Sequence, residues 1–111
     1  MEIKENDNLY IIAPLSPKLN EYETNRIIEE ISKESRSVAL DLNYVQDCTI
    51  DFIEKLKELC RTKKIGIFNI SSDIFVLFNI MKMDKFANIF VSQLDFEENS
   101  RQIINRCFQV V

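Results

Sequence analysis

Residues 37–59, SVALDLNYVQDCTIDFIEKLKEL, decide the fold. Ser37 to Leu42 (SVALDL) reads as a buried strand. A polar turn follows from Asn43 to Ile50. From Asp51 to Arg61 the spacing changes: Phe52, Ile53, Leu56, Leu59 and Cys60 fall on one side of a helix, while Glu54, Lys55, Lys57 and Glu58 face outward and can pair along it. A buried strand, a polar turn and an amphipathic helix in that order make up half of a parallel crossover unit.

The same alternation extends in both directions. Upstream, Leu9 to Ala13 (LYIIA) is a β-rich run closed by Pro14, and Ile3 with Lys4 can add a small partner strand before the NDN turn. Asn20 stands three residues ahead of Glu23 as a helix N-cap, and Thr24, Ile27, Ile28 and Ile31 recur as one buried stripe. Downstream, RTKK and Gly66 end the central helix and Ile65 to Ile70 is the next strand. Ser71 or Ser72 then caps a third helix with Ile74, Leu77, Phe78 and Met81 inward. Its other side, Phe75, Val76 and Ile80, is also apolar: with Met81 and Met83 it can form an interaction patch, or it can pack beneath the last helix, the expectation favoured for a helix this apolar. A short edge strand at Ile89 to Val91 and a closing helix from about Phe96 to Gln109 complete the order ββαβαβαβα. The expected fold class is α/β, with a mixed, largely parallel sheet of four to five strands flanked by about four helices in one domain over residues 1–111.

Composition removes many functions. The 111 residues contain one glycine (Gly66), no histidine and no tryptophan, so glycine-rich phosphate loops, HExxH zinc sites and Ser-His-Asp triads are absent. Fourteen basic against eighteen acidic residues give a net charge of -4, the wrong sign for gripping a phosphate backbone, so no nucleic-acid partner is expected. The opening MEIKENDNLY lacks the basic and apolar regions of a signal peptide, and no apolar run approaches a membrane span. Three widely spaced cysteines (Cys48, Cys60, Cys107) without a CxxC fit free thiols in a reducing compartment. Cytoplasmic localisation, no metal and no cofactor are the resulting expectations.

In α/β folds, partners gather where strand C-termini meet helix N-termini, which here is the turn Asn43 to Ile50. The segment LDLNYVQDCTIDFIEKLKEL resembles the STAS family, the sulfate transporter and anti-sigma factor antagonist domains. Asp41 and Leu42 match that family's strand end and Asp47 its motif aspartate. KKIGIFNISSDIFVLFNIMKMDKFANIFVS, residues 63–92, is similar to its later strand, Ser-capped helix, acidic turn and final strand. The likeness runs from Leu9 to the last helix and is carried by order and spacing more than by any single motif.

The resemblance implies a non-enzymatic, cytoplasmic, bacterial regulator of transcription, whose motif serine is phosphorylated by a partner kinase that is also an anti-sigma factor. It implies alternatively an accessory subunit of a sulfate or lipid ABC transporter, holding the ATPase component. At the decisive residue this chain departs from the pattern. Cys48 occupies the acceptor serine's place, Thr49 the next Ser/Thr position, and Ile50 replaces the glycine. Thr49 is thus the remaining candidate for phosphorylation. The expected partner-binding residues are Asp47, orienting the turn; Cys48, Thr49 and Ile50, at its tip; and Asp51, Glu54 and Lys55, at the rim.

Simpler roles compete with these. Thr49 or Cys48 can merely cap the helix, with Asp51 adding a favourable first-turn charge. A reactive Cys48 thiolate is opposed by Asp47 and Asp51 and has no histidine to assist it. Asp41, Asp47 and Asp51 do not make a receiver domain, because LYIIAPLS supplies no acidic pair. An enzyme would need a cofactor or second chain to supply the missing base.

Overall fold

The computed structural model of the chain describes residues 1–5 and 7–90. Strands β1 (Glu2–Glu5) and β2 (Leu9–Ala13) form an antiparallel pair; then come β3 (Lys18–Leu19), α1 (Glu21–Lys33), β4 (Ser37–Asp41), β5 (Asp47–Cys48) and α2 (Ile50–Cys60). β6 (Ile65–Phe68), α3 (Ser72–Ile80), a 3-10 turn at Met83–Lys85 and β7 (Asn88–Ile89) follow. The main sheet has the order β1-β2-β4-β6-β7, parallel throughout except for β1. The chain is therefore an α/β protein with a mostly parallel mixed sheet and, among the described residues, three α-helices.

From β2 to β7 the sheet grows steadily in one direction, so right-handed crossovers set α1, α2 and α3 on the same face. Burial agrees. Ile27 and Ile31 of α1, Phe52, Ile53 and Leu56 of α2, and Ile74 and Phe78 of α3 form one cluster with Tyr10, Ile12, Val38, Leu40, Ile65 and Ile67 of the sheet. The alternate strand residues Leu9, Ala39 and Phe68 make a second cluster with Phe90 on the other face. Each fully buried large apolar side chain stabilises the fold by about 1.5–3 kcal/mol. A surface ion pair such as Lys33 with Glu29 is solvated and screened and contributes little, so the apolar stripes, not the charges, set helix orientation.

Local signals start each helix. Asn20 Oδ1 accepts from Glu23 N–H at 2.9 Å, Thr49 Oγ1 from Phe52 N–H at 3.1 Å, and Ser71 Oγ from Ile74 N–H at 3.3 Å. Acidic residues occupy all three first turns, Glu21 and Glu23, Asp51, and Asp73, as the helix dipole favours.

Four expectations need correction or restriction. The turn Asn43 to Ile50 contains a strand, β5, which pairs in parallel with β3. The outward residues of α3, Phe75, Val76 and Ile80, are exposed, the last 70% accessible, and the helix expected to cover them lies outside the described residues. Only Ile74 and Phe78 of α3 are fully buried, because a short helix on a sheet presents one stripe to it. The expected edge strand at Ile89 to Val91 is observed as Asn88–Ile89, and Val91, the closing helix from Phe96 to Gln109 and Cys107 lie outside the described residues.

Candidate functional site

Three loops leave the C-terminal edge of the sheet: residues 14–20 after β2, 42–49 after β4 and 69–71 after β6. Hydrogen bonds join them. Gln46 N–H and Asp47 N–H both donate to Pro17 O, at 2.7 and 3.1 Å, and the β3·β5 pairing sets Lys18 beside Asp47 and Leu19 beside Cys48. Ser71 Oγ–H donates to Gln46 O at 3.2 Å, tying the third loop to the second.

Asp41, the last residue of β4, is the hub of this arrangement. Its carboxylate is buried, and Oδ1 accepts from Asn43 N–H at 3.0 Å and from Asn69 Nδ2 at 3.1 Å. Asn69 has φ of 58°, a left-handed conformation that asparagine tolerates better than most residues. That conformation ends β6 and accompanies the bond from the Asn69 amide to Asp41. A buried carboxylate needs such donors, since leaving it unpaired costs several kcal/mol, on the order of the stability of a small domain.

The predicted site residues divide on inspection. Asp47, Thr49, Ile50, Asp51 and Glu54 are exposed, and Ile50, at the first position of α2, is 58% accessible. Asp47 orients the turn as expected in kind, Oδ1 accepting from Cys48 N–H at 2.9 Å, but Asp41 fixes more of it. Asp51 pairs with Lys55 at 3.1 Å, and half-buried Lys55 also donates to Asn25 Oδ1 at 2.9 Å, so it links α2 to α1.

Cys48 does not belong to the contact tip. It is buried, 8% accessible, because pairing with β3 fixes the pleat there and alternate residues of a strand face opposite ways. Burial first, and the neighbouring Asp47 charge second, push its thiol up to about 12. A thiol that stays protonated at neutral pH is a poor nucleophile. Cys60 is pushed up to about 12 by burial as well.

Sequence reasoning missed two contributors. Tyr44 is 57% accessible in the middle of the turn, and exposed Leu15 sits in the first loop, so with Ile50 each of the first two loops and the start of α2 carries an exposed apolar side chain. Each of the two is a single residue in a short loop and leaves no periodic signal. A hollow of about 200 Å³, lined by Lys18, Leu19, Asn20, Asp47, Cys48 and Thr49, lies beside the tip. Among the described residues, no group of three or more His, Cys, Asp or Glu side chains is arranged to hold a metal ion, and no helix is long and apolar enough to cross a membrane.

These features define the chain as an α/β protein whose C-terminal rim is a hydrogen-bonded platform with an exposed helix start. No family model matches the chain, and no curated protein sequence matches it.

Proposed function

We propose that this chain is a STAS-like, non-catalytic protein-binding regulatory domain, akin to an anti-sigma factor antagonist, acting in the cytoplasm on a partner kinase or anti-sigma factor. Docking uses the turn Asn43 to Ile50 and the outward face of α2. One observation carries this reading: Asp47, Thr49, Ile50 and Asp51 stand exposed at the start of α2 on a turn whose backbone is already tied to both neighbouring loops. A turn ordered before contact loses little entropy on binding, which favours recognition by shape. Tyr44 and Ile50 supply apolar area, while Asp47, Asp51 and Glu54 supply a negative rim.

Binding on this reading is constitutive or controlled elsewhere. Cys48 is both the wrong chemistry for phosphate and buried, and the Thr49 hydroxyl already accepts from Phe52 N–H. Asp47 and Asp51, on either side, oppose a further negative charge. The test incubates the purified chain with the ATP-binding protein that co-purifies with it, in the presence of ATP. Complex formation without phosphate on Thr49, and an unchanged affinity for Cys48→Ser, is expected; stoichiometric phosphate on Thr49 would reverse the regulatory part. Recovery of a transporter's nucleotide-binding subunit in place of a kinase-like protein would move the chain to the accessory-subunit reading.

A further inference from the structure

The opposite edge of the sheet holds a second concave feature with different chemistry. A cleft of about 310 Å³ opens between the loop after α2 and the segment from the 3-10 turn into β7. Arg61, Lys63, Lys64 and Lys85 line it against one carboxylate, Asp84, and Phe86 forms part of its wall. Four cations around one hollow stand out in a chain of net charge -4. The volume is at the small end of the roughly 300–1,000 Å³ typical of small-molecule sites.

Helix dipoles account for some of this charge but not all of it. Arg61 follows the last turn of α2 and pairs with Glu58 at 3.3 Å, and Lys63 Nζ donates to the carbonyl of Glu34 beyond α1. Lys64 belongs to no helix's last turn, Lys85 closes only a single 3-10 turn, and neither forms an ion pair among the described residues. Lys64 is nevertheless half-buried. The parallel register sets Gly66 beside Asn88, and Lys64 and Phe86, each two residues ahead of that pair, both line the cleft. Phe86 is 41% accessible and carries Lys57 Nζ over its ring at 5.1 Å. An anion entering here meets two ammonium groups that form no ion pair among the described residues, and its organic part an aromatic wall.

We propose that this cleft binds a small phosphorylated molecule of about mononucleotide size, with Lys64 and Lys85 holding the phosphate and Phe86 flanking the organic group. The site is separate from the docking rim, and its function does not depend on that reading. Titrating the isotope-labelled full chain with pyrophosphate and with AMP, at physiological salt, tests it by amide chemical shifts. Saturable changes confined to Lys63 to Gly66 and Asp84 to Asn88 are expected. The Lys64→Gln, Lys85→Gln double variant, with its spectrum otherwise intact, should bind both probes about tenfold or more weakly, as losing charge-assisted hydrogen bonds predicts. Phe86→Leu should weaken AMP more than pyrophosphate. Lys33→Gln, at the end of α1, should change neither. No saturation with either probe up to about 10 mM, well beyond the millimolar range of weak specific binding, would overturn the proposal. So would shifts spread over all surface lysines, or affinity retained by the double variant.

Discussion

The two ends of the sheet are built on opposite plans. At the C-terminal rim, a buried carboxylate and neutral amides hold three loops together from inside, leaving Tyr44 and Ile50 exposed on the outside. At the N-terminal rim, ionic groups near the surface do the holding: Arg36 reaches Glu34 at 2.6 Å and Glu5 at 3.2 Å and lies over the Tyr10 ring at 5.1 Å. The sign of charge at each end is partly what helices pointing the same way favour: all three start with acidic residues, and α1 and α2 end with basic ones. Charge alone is therefore a weak guide to function here. The informative features are an apolar residue exposed on a fixed loop and a half-buried lysine, Lys64, with no ion pair among the described residues.

If the C-terminal rim is held from within, its hub should be the costliest place to cut. Asp41→Ala leaves the Asn43 amide and the Asn69 side chain without their acceptor, and should lower unfolding free energy in urea by about 2–3 kcal/mol. Faster amide exchange from Asn43 to Cys48 should accompany it. A loss no larger than that of an exposed ion pair would dissolve the contrast between the two ends.

A smaller effect follows from the helix start. Thr49→Ala removes the acceptor for Phe52 N–H and should cost about 1 kcal/mol, read in the same urea titration, without moving Cys48 or Leu19. An unchanged midpoint would mean that the cap contributes nothing and that Thr49 is free for another use.

The ionic end should instead reveal itself through pH. Hydrogen bonding from Arg36 holds the Glu34 carboxyl down to about 2, against an ordinary 4.5. Because the folded state binds that proton less tightly, the stabilisation is complete above 4.5 and is lost as pH falls from there through about 2. Glu34→Gln should accordingly melt earlier than the parent at neutral pH, with the gap closing over that acid range. A gap constant with pH would assign the effect to packing.

Much of this plan was legible in the sequence. Ile27 and Ile31, Phe52 and Leu56, and Ile74 and Phe78 repeat at helical spacing and are buried, because amphipathic periodicity is an averaged signal over many residues. The cap Asn20 was readable, and Thr49 and Ser71 each as one of two neighbouring candidates, because a cap acts within three residues of itself. The β3·β5 pairing was not, since two residues in each strand carry no period. Cys48 was consequently set on the wrong side, as facing in a strand depends on which partner fixes the pleat. Asp41 as an acceptor for Asn69, 28 residues away, and the exposure of Phe75, Val76 and Ile80 depend on tertiary placement that spacing does not encode.

The central claim, that the turn and α2 form the docking surface, is tested most directly by hydrogen exchange on the complex with the co-purifying partner. Protection concentrated from Asn43 to Lys55, and lost together with binding in Ile50→Asp, is the predicted result. Protection gathered on α3 or at the basic cleft, with the turn exchanging as in the free chain and Ile50→Asp binding normally, would contradict it.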